Sequence, residues 1–177
     1  MKRSKAIVLS LMGVSAVLLQ ACEDPEVEAD LYRNVQNCLE TSDLTREQCV
    51  QLHDAALANH MQTAPRFESR EDCYAAFGKE QCEQQQTAES GGTGIWMPLM
   101  MGFMASRMLD GRGGRQSAPL YRTGNDPGTL RTGRGHPVGK SFGTSTKLPE
   151  WATKPARTRT QAVSRGGFGS RSYGFGG

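Results

Sequence analysis

Cysteine, histidine and methionine are the residues here whose types and spacing are suited to chemistry. Four cysteines, Cys38, Cys49, Cys73 and Cys82, lie in one stretch of the chain. Ten residues separate the first two and eight the last two, so each pair is placed to close a short loop. Four cysteines permit three pairings, and spacing favours the two local ones. No C-x-x-C occurs, the usual arrangement of a thiol activated for exchange, so structural disulfides are the expectation and redox work the alternative. His53 and His60 lie two helical turns apart, but no third or fourth metal ligand accompanies them, and they read as exposed helical residues. The four cysteines also lack zinc-site spacing, so neither metal nor cofactor is expected. Met97, Met101, Met104 and Met108 step by helical intervals. Such thioethers are soft ligands for Cu(I), but a methionine stripe more often packs.

The fifth cysteine belongs to a different setting. Lys2, Arg3 and Lys5 precede an apolar run from Ala6 to Leu19. That run is too short for an ordinary membrane span and suits an export signal over residues 1–21. The run ends in Leu19-Gln20-Ala21-Cys22. Leu19 is too large for the −3 position of an ordinary signal-peptidase site, and Leu-x-Ala-Cys resembles the acylation site of bacterial lipoproteins. Cys22 is therefore the expected lipidation site. Glu23 rather than aspartate follows it, which favours the outer membrane over the inner. The expected location is the bacterial envelope, lipid-anchored and facing the periplasm.

Charge divides the rest of the chain. Residues 22–90 hold 5 basic and 15 acidic residues, a net of −10, while residues 111–177 hold 12 basic and 2 acidic, a net of +10. Hydrophobic residues make up 37%, below the ~45% usual in globular chains. No P-loop, G-x-S-x-G or H-E-x-x-H motif occurs, and no catalytic triad can be assembled. A non-enzymatic protein is expected.

Positioning these groups falls to a few elements. Tyr32-x-Asn34-x-x-Asn37-Cys38 repeats as Phe67-x-Ser69-x-x-Asp72-Cys73, the pattern of an extended aromatic, a helix cap and a cysteine one turn into a helix. Between the two units, Thr45 and Gln48 form a capping box for the strongest helix, which Pro65 ends. Gly78 ends the next. After the hinge Gly91-Gly92-Thr93-Gly94, the methionine-rich segment reads as a helix, with Pro98 in its first turn. Trp96, Met97, Met101, Met104 and Met108 are its expected contacts with a protein partner or the membrane interface. From Gly111 onward, Gly, Arg, Thr, Ser and recurrent Pro predict a disordered tail. Its Arg157, Arg159, Arg165 and Arg171 are candidate contacts for anionic envelope polymers, or for the chain's own acidic head. The export signal argues against nucleic acid, despite the tail's RGG-like stretches.

The expected fold is thus small and mainly α (α+β): a disulfide-stapled head with short extended segments, one Met-rich helix, and a long disordered Gly/Arg-rich tail. The boundaries expected are a signal peptide at 1–21, a lipid-anchored linker at 22–30, the head at 31–83, a flexible linker at 84–94, the Met-rich helix at 95–110 and the tail at 111–177.

Three stretches carry a family resemblance. They are Thr63 to Cys73 with Ala76-Phe77-Gly78 and Gln81-Cys82; Trp96-Met97-Pro98-Leu99-Met100-Met101-Gly102; and Arg165-Gly166-Gly167-Phe168-Gly169. In order and wording they resemble the YgiB-like family of small bacterial envelope proteins. The resemblance implies an exported, lipidated protein with a cysteine-bearing head and a Gly-rich tail, and it implies no established activity.

Overall fold

The computed structural model describes residues 24–85, 94–107 and 114–156. They form a mostly β structure rather than the mainly α one expected. Its centre is a six-stranded antiparallel sheet in the order β7-β6-β5-β4-β1-β8. The strands are β1 (Glu26–Tyr32), β4 (Gly102–Arg107), β5 (Arg115–Thr123), β6 (Asp126–Thr132), β7 (Pro137–Gly139) and β8 (Thr144–Pro149). The sheet curls until its two end strands, β7 and β8, lie against each other, which makes a nearly closed barrel. A second, two-stranded sheet pairs β2 (Cys82–Gln85) with β3 (Ile95–Pro98). The described residues also include four α-helices, α1 (Val35–Thr41), α2 (Arg46–Thr63), α3 (Arg70–Phe77) and α4 (Glu150–Thr153), and a 3-10 turn at Lys79–Gln81.

Alternation explains the barrel. In β1, Val27, Ala29 and Leu31 point inward while Glu28 and Asp30 point out. Register sets Leu31 opposite Met104, and Met104 opposite Ala118, so three adjacent strands supply one interior layer. Leu120, Leu130, Val138 and Leu148 fill the rest, and Ala152 of α4 joins them. The interior of so small a barrel is a packed core, and one or two apolar residues per strand suffice.

That economy overturns the disordered tail over residues 115–156. Leu120, Leu130, Val138 and Leu148 fall at inward positions, while most of the Arg, Lys and Gly that depress the segment's hydropathy occupy outward faces and turns. Gly135 and Gly143, both at positive φ, make the turns before β7 and β8. Likewise the expected linker at 22–30 contains the start of β1.

The methionine-rich helix is also replaced by strand. Met97 lies buried on β3, Met101 in the bend before β4, and Met104 inside the barrel, so the helical stripe does not exist as a surface. Pro98 and Gly102 both weaken a helix here. Gly102 also sits at the start of β4, so close to the end of β1 that any Cβ would overlap the Tyr32 carbonyl and the Phe142 ring. Paired with β1, the segment buries Phe103, Met104 and Ala105 together.

The helical half follows its signals. Asn34 and Ser69 accept from the backbone N–H of Asn37 and Asp72, and both units of the repeat run extended residue, cap, helix, cysteine. The Thr45–Gln48 capping box starts α2, Ala64 caps its end, and Gly78, at φ 101°, ends α3. Helix α2 lies across the outer face of β4 and β5, where Cys49, Leu52 and Ala56 pack on Tyr32, Phe103 and Ala105. The disulfides are Cys38–Cys49 and Cys73–Cys82. The first ties α1 to α2; the second ties α3 to β2. No helix among the described residues is long and apolar enough to cross a membrane.

Candidate functional site: a charged cleft under the stapled turn

Where α2 begins, the outer face of the sheet is left open. Glu28, Asp30 and Tyr32 share this face of β1 because they alternate with the inward residues. Beside them stand Ser145 of β8, opposite Asp30, and the facing pair Arg107 and Arg115 of β4 and β5. The turn between α1 and α2, with Ser42, Asp43 and Leu44, forms the opposite wall. Its position is fixed by the Cys38–Cys49 bond, whose two residues are fully buried. The resulting cleft has a volume of about 360 Å³.

Asp30 is the hub of its floor. Arg115 Nη1 donates to one carboxylate oxygen at 2.6 Å and Ser145 Oγ to the other at 2.6 Å. Burial alone would raise the Asp30 pKa, but these hydrogen bonds and the Arg115 charge outweigh it and hold the carboxyl below its ordinary value. This pair is one point at which the acidic N-terminal and basic C-terminal halves of the chain meet. Tyr32 is buried beside it. Burial, helped by the Asp30 charge and opposed by Ser42, raises its pKa, so it presents a neutral phenol. Its hydroxyl lies near Ser42 and Asp30 without a well-formed hydrogen bond to either. Fixed charges of both signs around a neutral phenol suit recognition of a polar, hydrogen-bonding group rather than an apolar one.

Of the site residues expected from the sequence, the cleft includes none directly, though Cys38 and Cys49 hold its wall and Tyr32, the aromatic of the first repeat unit, lies in its floor. Trp96 is half-buried on β3, edge-on to Tyr74 and under Arg70. Met97 packs with Ala64 and Tyr121, and Met104 in the barrel. These residues do not form a common docking face. Cys22, Met108, Arg157, Arg159, Arg165 and Arg171 lie outside the described residues. Asp30 and Arg115 were missed; for Asp30 the signal available was the alternation of Glu26 to Tyr32, which marks a half-buried strand with acids on one face, and for Arg115 there was none.

The histidines divide. His53 sits at the surface of α2 with Asp54 at 3.3 Å and its ring edge-on to Phe103. His60, expected to be exposed, is only 3% exposed, and its Nδ1 lies 2.9 Å from the Tyr121 hydroxyl. Among the described residues no group of His, Cys, Asp and Glu is placed to hold a metal ion. Burial lowers the His60 pKa, against a smaller opposing pull from Glu83, so it is neutral in the folded chain. A lowered folded pKa gives stability that is complete above the unfolded value of 6.5 and is lost as pH falls from there toward the folded value. Thermal unfolding from pH 7.5 to 5 should show this loss, at up to about 1.4 kcal/mol per pH unit. His60→Gln should flatten that slope.

The family model for "Protein of unknown function (DUF1190)" matches residues 26–174. A UPF0441 protein of Serratia proteamaculans is 36% identical over 173 residues, covering 89% of this chain and 78% of its own length. The UPF0441 protein SG0265 of Sodalis glossinidius is 38% identical over 170 residues, with the same coverage. One from Yersinia pestis is 33% identical over 189 residues, covering 94% of this chain and 82% of its own. No solved structure matches the chain. The match thus takes in both the stapled helices and the barrel, and the chain belongs to this YgiB-like family of proteins of unknown function.

Proposed function

We propose that this chain is a non-enzymatic binding protein of the bacterial envelope, anchored by acylated Cys22 and facing the periplasm, with the outer membrane as its favoured site. The charged cleft takes a polar segment of an envelope protein partner, and the arginines beyond residue 156 contact anionic envelope polymers. The observation that carries this reading is the pair of disulfides behind a lipoprotein-like leader, because such bonds persist in oxidising compartments. The redox and copper alternative draws no support from the geometry. Cys38, Cys49 and Cys73 have no exposed surface, and Met97 and Met104 belong to separate clusters.

Intact mass of the membrane-extracted protein, before and after thiol alkylation without reductant, tests the anchored part. The expected mass starts at a lipid-modified Cys22 and does not change on alkylation. An unlipidated chain with alkylatable cysteines overturns the reading. For the tail, binding to lipopolysaccharide should fall steeply with salt, since counterion release drives such contacts. Binding indifferent to a tenfold change in salt counts against it.

A further inference from the structure

Both ends of the described domain leave at one corner. The chain enters β1 through Pro25, whose carbonyl accepts from the Glu150 N–H at 2.8 Å, so the first turn of α4 stands against the entry point. It departs beyond Ala156, where Arg134 donates to the carbonyls of Lys154 and Pro155. Between entry and exit, α4 presents Trp151, 39% exposed, with its ring edge-on to His136. An exposed tryptophan on so short a helix is not explained by the barrel core, to which α4 contributes Ala152 instead.

Only Glu23, Asp24 and Pro25 separate Cys22 from β1. A fully extended chain spans at most about 14 Å over that distance. A lipid on Cys22 would therefore hold this corner, and no other part of the domain, against the bilayer surface. Tryptophan prefers the headgroup region, where its ring is buried and its N–H remains hydrated. The charges are mixed: Glu150 is paired with Lys154 at 3.1 Å, and Asp24 and Glu26 flank the entry. Attraction to anionic lipid falls to Arg134 and to residues 157–177, which carry four arginines and no acid.

We propose that the corner formed by Pro25, Arg134 and Trp151 is a second membrane contact, with Trp151 seated among the headgroups of an anionic phospholipid surface. The proposal rests on the anchored reading above and deepens it, by fixing which face of the domain meets the membrane. It replaces the methionine-rich segment, and Trp96 with it, as the expected point of contact.

The test separates the two claims. The mature chain beginning at Cys22 is coupled through that thiol, the other four cysteines being paired, to a maleimide-bearing lipid in vesicles. The vesicles are phosphatidylethanolamine with phosphatidylglycerol, or phosphatidylcholine alone, each with brominated acyl chains. In the Trp96→Phe variant, Trp151 emission should shift to shorter wavelength and be largely lost, more so on the anionic vesicles. In the Trp151→Phe variant, Trp96 emission should be unchanged. Should Trp96→Phe fold poorly, the native chain compared with Trp151→Phe gives the same answer by difference. Trp151 emission equal to that in buffer, quenching of Trp96 in its place, or quenching indifferent to lipid charge overturns the proposal. Because the coupling supplies the tether, none of these outcomes bears on whether Cys22 is acylated in the cell, which the intact mass decides separately.

Discussion

Replacing Cys38 and Cys49 together with alanine is expected to lower the stability of the fold by roughly 3 kcal/mol, the contribution of a short closed loop in the chain-entropy model. The two residues are 11 apart in sequence and fully buried beneath α2. Their loss therefore also leaves a void among Tyr32, Leu52, Ala56 and Phe103. Urea unfolding should show a lower midpoint and a somewhat steeper slope, because the uncrosslinked unfolded chain exposes more surface. Hydrogen exchange should quicken first at Ser42, Asp43 and Leu44, because the bond is what pins that turn over the cleft. Removing Cys73 and Cys82 instead should loosen α3 and the β2–β3 sheet while leaving the turn protected. Equal protection of the turn in both variants would show that the cleft wall stands without its staple.

The second large effect is expected at Gly102. An alanine there would place its methyl on the Tyr32 carbonyl oxygen and the edge of Phe142. The carbonyl belongs to β1, whose ladder with β4 sets Tyr32 opposite Phe103 and cannot move without disturbing that pairing. The cost should reach about 1–3 kcal/mol, the range of forced overpacking. Gly139→Ala is the control. Its added methyl would meet only the end of the Leu31 side chain, at 3.0 Å, and a small rotation relieves it. A melt in which Gly102→Ala is no worse than Gly139→Ala would show that β1 and Phe142 leave room for a methyl at this position.

The helical half of the molecule was legible because its signals are local. Asn34, Thr45 and Ser69 cap the helices they were expected to cap, and Gly78 stops the one it was expected to stop. Each of these acts within a few residues of itself. The barrel was not legible because its signals are distributed. Leu120, Leu130, Val138 and Leu148 each look isolated in a Gly- and Arg-rich background, and become a core only when register stacks them on Leu31 and Met104. Averaged composition counts the outward face and the turns with the inward face, and here the outward residues are the more numerous. The methionine segment misled for a related reason. Intervals of 4 and 3 describe a helical face, but they also place Met97 and Met104 on two separate strands once Pro98 and Gly102 break the segment. The cleft fell between these two cases. Its wall was legible through Cys38 and Cys49, while its floor joins Asp30 to Arg115, 85 residues away, and no local pattern reports such a pair.

The strand order has a consequence in time. Among the described residues, the first strand made, β1, lies between β4 and β8, the last of them to be made. A chain emerging from its N-terminus offers β1 no neighbour until residues 102–107 exist, and no second neighbour until 144–149 follow. The two disulfides, by contrast, join cysteines only 11 and 9 residues apart and can close long before. Folding is thereby split into an early local stage and a late one that waits for distant partners, and closing such long loops is slow. Until the final strand arrives, the inward face of β1, with Val27, Ala29 and Leu31, stays uncovered, and the chain remains an open thread with stapled helices rather than a finished barrel.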